Sequence, residues 1–359
     1  MRDPKYCLLF SLSPAIGPKR FIKLIKFFGT SQSAWNGSKE DFKKLDIGKK
    51  TFAEFEKFRI SFDIKLLLQK LQKLSIEFVC KHDKFYPKDL LKLDSPPIVL
   101  YTRGDKNLLK EKNKIAIVGT RKITSYGKGV TEKIASDLAT SGVVIVSGMA
   151  LGVDATAHKV TLVVKGKTIA VLGSGIDVAY PRENQVLYRQ IVECGLVISE
   201  YPPGVQSSKG TFPARNRIIA AISTGTLVTE AAKDSGSLIT ATYAKKLEKK
   251  VFAVPGPITS LMSQGTLKLI KEGAQVVSDA SDILKSIGKK EQIGTSINMN
   301  SFSKDEQKVA KALQKEEVGI DELSKLTGIN ISSLVILLSG LELKGVIRQG
   351  GGKYAIRNL

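Results

Sequence analysis

The segment Lys209-Gly210-Thr211-Phe212-Pro213-Ala214-Arg215-Asn216-Arg217 puts three cations and one aromatic ring into nine residues. It closes a stretch, 202–210, rich in proline, glycine and serine. Lysine and arginine can track a run of phosphates. A ring face can stack a base without reading its identity, worth roughly 1–3 kcal/mol per base. That pairing suits a single strand, whose bases are free to stack. Alternatively, Phe212 and Pro213 fill a core and only the cations face out.

Three further turns are rich in small residues, and two of them carry a cation. Gly119-Thr120-Arg121 ends one β-branched run; the glycine lets backbone approach a ligand, and the arginine offers a planar fork for phosphate. Ser147-Gly148-Met149-Ala150-Leu151-Gly152-Val153-Asp154 ends another, and small residues at a strand-to-helix turn leave N–H groups available to an anion. Lys233-Asp234-Ser235-Gly236-Ser237 is a third such turn with a lysine beside it. Any one of them is explained by the needs of a tight turn. Three together predict a phosphate-binding rim.

The groups suited to catalysis are fewer. Asp154 and His158 stand four residues apart on one helical face. Without a nearby nucleophile they read as a structural hydrogen bond at a helix start. Glu200 and Glu230 sit near strand ends, where an acid or base is useful. They are the best case for an enzyme, and each serves equally well to buttress an arginine. Gly173-Ser174-Gly175-Ile176-Asp177-Val178 lacks the third glycine of a dinucleotide fingerprint, so no nicotinamide or flavin cofactor is expected. Two histidines, His82 and His158, exclude a His-rich metal centre. Cys7, Cys80 and Cys194 lie far apart, which argues against a disulfide framework or zinc knuckle and for a reducing, cytoplasmic setting.

These residues need elements to position them. Between about 97 and 287, short β-branched runs (114–119, 143–148, 168–173, 196–201, 226–231, 251–256, 275–279) alternate with amphipathic stretches such as 127–140 and 238–249. Strand, glycine turn and helix in repetition predict an α/β fold with a doubly wound parallel sheet. In such sheets ligands bind beyond the carboxyl ends of the strands. Before it, residues 1–73 read as helices: Phe21, Leu24, Ile25 and Phe28 follow one apolar face. Ser13-Pro14-Ala15-Ile16-Gly17-Pro18-Lys19-Arg20 is similar to a helix-hairpin-helix turn, or is a plain turn in a helical bundle. Residues 288–302 are polar and aperiodic and read as a linker. After it come helices over 305–314, 320–326 and 331–343 and a small hairpin, the pattern of a winged helix.

The chain has 359 residues and a formal charge of +22. Its parts differ: 1–73 carry +9, 74–302 carry +11 and 303–359 only +2. A polyanion partner is therefore expected on the first two parts. The third tail helix, with no lysine or arginine before Lys344, makes a poor recognition helix. The tail reads as a protein-contact module, with Arg348, Lys353 and Arg357 left for weak phosphate contact. No apolar run reaches the roughly 18 residues of a membrane span, and the start, Met1-Arg2-Asp3-Pro4-Lys5, is unlike a secretory signal.

Further ordered motifs complete the pattern. They are Tyr86-Pro87, Pro96-Pro97-Ile98-Val99-Leu100-Tyr101-Thr102-Arg103-Gly104, Ala170-Val171-Leu172-Gly173, Tyr180-Pro181 with Asn184, Ser199-Glu200, Ser235-Gly236-Ser237-Leu238-Ile239-Thr240-Ala241 and Ala253-Val254-Pro255-Gly256. With the segments above, they make the chain resemble, over nearly its whole length, the DNA-processing protein A (DprA) family, also called Smf. The resemblance implies a non-enzymatic single-stranded DNA-binding recombination mediator. Such proteins protect incoming strands in natural transformation of competent cells and help load the recombinase RecA. It implies an N-terminal helical domain over 1–73 (SAM-like or helix-hairpin-helix-like) and an extended Rossmann-like DNA-binding domain over 74–287 that forms homodimers. A linker over 288–302 and a winged-helix domain over 303–359 follow. By motif it implies DNA contacts at Arg121, Lys209, Phe212 and Arg215, phosphate cradles at the 148–152 and 235–237 turns, and a further contact at Lys233. Neither cofactor nor metal is implied. One position departs: Gly265-Thr266-Leu267 replaces the family's usual Gly-x-Asn. The alternatives are a Rossmann-type nucleotide-processing enzyme using Glu200 or Glu230, and a duplex-DNA regulator using the winged helix.

Overall fold

The helical periodicity of the first 73 residues resolves into α1 (Pro4–Leu12), α2 (Pro18–Phe28), α3 (Ser31–Trp35), α4 (Lys39–Lys44), α5 (Lys49–Ser61) and α6 (Ile64–Lys73). On α2 the apolar stripe lies where its spacing predicts: Phe21, Leu24 and Ile25 are buried and Phe28 is half-buried. Pro18 presets φ where α2 begins, and Arg20 Nη1 donates to Ala15 O at 2.8 Å across the turn. Rings interlock beneath. Phe10 stacks on Phe55 at 5.6 Å between centroids, and Trp35 meets both edge-on.

The structure, a computed structural model, describes residues 4–289, 302–313, 317–343, 346–350 and 352–356. Most of the predicted linker 288–302 lies outside the described residues, as do Lys344, Arg357 and the Arg348 side chain. Two compact units result, Met1–Lys289 and Lys290–Leu359.

The first unit is built on a nine-stranded sheet. Its strands are β1 (Glu77–Cys80), β2 (Val99–Gly104), β3 (Lys114–Val118), β4 (Val144–Ser147), β5 (Thr168–Gly175), β6 (Leu196–Tyr201), β7 (Gly225–Val228), β8 (Lys250–Ala253) and β9 (Gln275–Val276). The order is β1-β2-β6-β5-β4-β3-β7-β8-β9. From β6 to β9 in that order every pairing is parallel, as predicted. At the far edge β2 pairs antiparallel with β6, and β1 with β2. These two strands were not among the predicted runs, because they are joined by a long connection and not by the strand–helix repeat that marks the rest.

Seven helices follow strands of this sheet: α7 (Ser125–Thr140), α8 (Val153–Val163), α9 (Gln185–Cys194), α10 (Thr211–Ile222), α11 (Ser237–Lys246), α12 (Gln264–Lys271) and α13 (Ala280–Ser286). Residues of β3 alternate between two cores. Ile115 and Ile117 pack with Ile134 and Leu138 of α7, Ala157 of α8 and Ile283 of α13. Ala116 and Val118 pack on the opposite face with Ile218 and Ile222 of α10, Ala241 of α11 and Leu269 of α12. Burial on both faces is why the central strands read as unbroken apolar runs. The N-terminal helices share a third core with the sheet, in which Leu8 and Phe10 join Val99, Tyr101, Leu172 and Val197, along with Leu187 and Ile191 of α9.

The second unit is a winged helix. It comprises α14 (Lys304–Leu313), β10 (Val318–Gly319), α15 (Ile320–Thr327), α16 (Ile331–Leu343), β11 (Ile347–Gly350) and β12 (Lys353–Ile356), with sheet order β10-β12-β11. Val309, Leu323, Leu334, Leu338 and Ile347 form its core. The outward positions of α16 include Ile331, Val335 and Ile336, all exposed. Among the described residues no single helix is long and apolar enough to cross a membrane.

One expected contact is replaced. His158 does not pair with Asp154; its Nδ1 lies 2.6 Å from Thr168 Oγ1 on β5. The Thr168 hydroxyl spends its proton on Ile145 O at 2.8 Å, so His158 Nδ1 is the donor. The bond ties α8 to β5 and β4. Burial pushes the His158 pKa down to about 3. An unfolded chain with an ordinary histidine pKa near ~6.5 binds the proton that the native state refuses. Stability from this group is therefore complete above that value and falls as pH drops toward 3, by about 1.4 kcal/mol per unit. Urea unfolding at pH 7.5 and 5.0 is expected to show a loss of about 2 kcal/mol from this source in the native sequence and not in His158→Asn. Equal losses in both proteins would refute the assignment.

Candidate nucleic-acid interface

The chain runs from β3 through β4 and β5 to β6 on one side, then returns to lay β7, β8 and β9 on the other. Strand β3 is thus the switch point, where the turns after β3 and β7 diverge and leave a crevice at the carboxyl ends. A groove of about 510 Å³ opens there. It is lined by Gly119 and Arg121 after β3, Ala150 and Asp154 after β4, and Tyr180 after β5. Lys209, Phe212, Pro213, Arg215 and Asn216 come from the start of α10, and Ser235, Gly236 and Ser237 from the start of α11. Residues predicted from four separated stretches of sequence therefore meet in one place.

The cations there have different standing. Arg121 and Lys209 are exposed. The Arg121 guanidinium carbon lies 5.2 Å from the centroid of Phe212, over its ring. Arg215 is 5% exposed and donates through Nη1 to the carbonyls of Gly148 and Val171. Burial lowers its pKa to about 10, against the pull of Asp154, so it stays charged at neutral pH. Asn216 Nδ2 donates to Gly236 O at 3.2 Å and joins the starts of α10 and α11. Phe212 is half-buried and Pro213 exposed. The ring therefore belongs to the groove wall and not to the core.

The two predicted cradles differ. At 235–237 the hydroxyls of Ser235 and Ser237 lie 2.8 Å apart, and the start of α11 faces the groove with no acidic residue in its first turn. A helix start of this kind attracts anions. The 148–152 turn is already occupied. Gly148 and Ala150 donate their amides to Asp154 Oδ2 at 3.1 and 3.4 Å. Burial pushes the Asp154 carboxyl up, while Arg215 and these amides pull it back. The expectation of available amides at Gly148 and Ala150 is therefore corrected: an internal carboxylate takes the place foreseen for phosphate. Gly152, at φ +77°, is needed for another reason, since an added Cβ would strike the Thr120 and Arg121 backbone.

Several predicted residues lie away from the groove lining. The Ser147 hydroxyl is fully buried and donates to Ile117 O at 2.6 Å. Thr120 Oγ1 accepts from Lys122 N at 3.1 Å and holds its own turn. Lys233 is exposed but lies outside the lining. Arg217, read as a DNA contact, is committed to Glu200, with Nη2 and Oε2 2.5 Å apart and both side chains largely buried. Glu230 is 2% exposed and accepts from Thr124 N at 2.9 Å and Thr124 Oγ1 at 2.6 Å, bracing the start of α7. Both carboxylates considered for catalysis are thus structural partners outside the groove. Leu267, at the departing position, is half-buried on α12 and also lies outside it.

Sequence reasoning missed Tyr180 as a groove residue. Its ring stands 5.3 Å from Phe212, tilted by 38°. The available signal was its position in the turn after a buried strand, where an aromatic has no core to fill.

The chain is similar to known proteins over most of its length. Residues 77–288 match the family model of DNA recombination-mediator protein A, and residues 300–353 match that of the DprA winged helix domain. Protein Smf of Synechocystis is 33% identical over 98% of both chains. The DNA processing protein DprA of Streptococcus pneumoniae is 45% identical over 56% of this chain and 71% of its own. The X-ray structure of that protein superposes with a TM-score of 0.70 at 36% identity, covering 79% of this chain and 98% of its own. DNA processing protein A of Helicobacter pylori, whose structure was solved to describe its single-stranded DNA binding mode, gives 0.54 at 35% identity over 59% of this chain and 95% of its own. With more than half its length under one family model, and a relative matched from end to end, the chain belongs to the DNA recombination-mediator protein A family.

Proposed function

We propose that this protein is a single-stranded DNA-binding recombination mediator whose strand runs through the groove at the β3 switch point. The observation that carries the reading is the meeting of exposed Arg121 and Lys209, the start of α11 and two aromatic rings in one open groove. Phosphates engage Arg121, Lys209 and the 235–237 turn. Arg215, Asp154, Gly148, Ala150 and Gly152 shape the floor beneath them. Arg217 and Lys233 have no direct part in this assignment. Membership of the family supports the wider role: protecting single strands and loading RecA, as a homodimer in the cytoplasm, in natural transformation or another recombination route. Residues 74–287 then carry DNA, and residues 303–359, with an apolar outer face on α16, serve protein contact.

The protein acts by binding and not by turnover, since Glu200 and Glu230 each serve an internal partner. Fluorescence anisotropy of a labelled oligonucleotide over a salt series is expected to favour the single strand over the duplex. The log–log slope falls by about 0.7 for each phosphate contact removed on a single strand. Arg121→Ala should lower the slope by that amount and weaken binding roughly tenfold. No preference for single strands, or an unchanged slope in the variant, would overturn the reading. Glu230→Gln is expected to leave affinity within about twofold while costing about 1–3 kcal/mol of stability through the weakened Thr124 cap, measured by urea unfolding. Loss of a nucleotide-hydrolysing activity in that variant would instead establish the enzyme alternative.

A further inference from the structure

We infer that the ring on which a base of the bound strand stacks is that of Tyr180 and not that of Phe212; this rests on the single-strand reading above. Phe212 is the aromatic that its sequence context singles out, but its surroundings are taken. Its ring lies against β5 at Gly173, where an added Cβ would come 3.1 Å from Cδ1. The Arg121 guanidinium covers it at 5.2 Å, and Tyr180 leans on it at 5.3 Å. Tyr180, by contrast, is 43% exposed. It stands beside Arg121, Leu151 and Pro181 at a recess whose lining Phe212 shares.

An exposed ring that fills no core still has to be held still to act as a platform, because ordering a mobile side chain on binding costs affinity. Both sides of its loop are pinned. Ser174 Oγ donates to Val178 O at 2.7 Å before it, and buried Asn184 donates through Nδ2 to Met149 O at 2.7 Å after it. Phe212 acts as the backing that sets the tilt of Tyr180. Arg121 beside the ring is placed for the phosphate of the same nucleotide. Stacking of this kind tolerates any base and is closed to a duplex, whose bases are already stacked and paired.

The test compares two oligonucleotides with equal numbers of phosphates, oligo-dT and the same strand with its central nucleotides abasic, on the full-length chain. The native protein is expected to bind oligo-dT about tenfold more tightly. Tyr180→Ala should bring the two close to parity while leaving the salt slope unchanged, because no charge is removed. Tyr180→Leu, which keeps apolar bulk without a ring, should behave like Tyr180→Ala, and Tyr180→Phe should keep the native ratio. If Tyr180→Ala and Tyr180→Leu retain the native ratio while Phe212→Leu abolishes it, Phe212 is the platform and the inference is overturned. If the native protein binds neither strand, the single-strand reading falls and takes this inference with it.

Discussion

The groove depends on one buried cation. Arg215 comes from the first turns of α10, and its guanidinium reaches two carbonyls, that of Gly148 just after β4 and that of Val171 midway along β5. Asp154 balances its charge and in the same act gathers the amides of Gly148 and Ala150. A cation buried without such partners would cost several kcal/mol. Because Arg215 fixes the register of α10 on the sheet, it also places Phe212 one turn earlier and Asn216 beside the start of α11.

This divides the positive charge by depth. Arg121 and Lys209 lie at the surface, where long side chains and water keep them adaptable, as befits a partner whose phosphates arrive in variable spacing. Arg215 is held rigidly below. The winged-helix unit follows a different logic. Its sequence is close to neutral, and α16 has no cation where a recognition helix would meet DNA. Its exposed Ile331, Val335 and Ile336 present the kind of surface that proteins, and not phosphates, cover.

Much of this was legible in the sequence. The parallel strands and their helices were visible because burial on both faces of a sheet leaves unbroken β-branched runs such as Ile115-Ala116-Ile117-Val118. The groove was visible through small residues and cations at strand ends. Less legible was the direction in which a polar group points. Arg215 and Arg217 are two residues apart in one cationic motif, yet one underlies the groove and the other pairs with Glu200 outside its lining. Amides at 148 and 150 looked available because the carboxylate that claims them lies one helical turn on, and four-residue spacing suggested His158 as its partner. Such choices are settled by long-range contacts, here with Thr168 and with Arg215, that periodicity does not carry.

On the proposed path of the strand, phosphates meet Arg121, Lys209 and the 235–237 turn while the 148–152 turn stays internally satisfied. A crystal structure of the full-length protein with a short oligo-dT tests it most directly. Phosphate oxygens are expected within hydrogen-bonding distance of Arg121, Lys209 and the start of α11, with Gly148 and Ala150 still donating to Asp154. A phosphate seated on the 148–152 amides with Asp154 displaced, or a strand bound elsewhere on the chain, would contradict it.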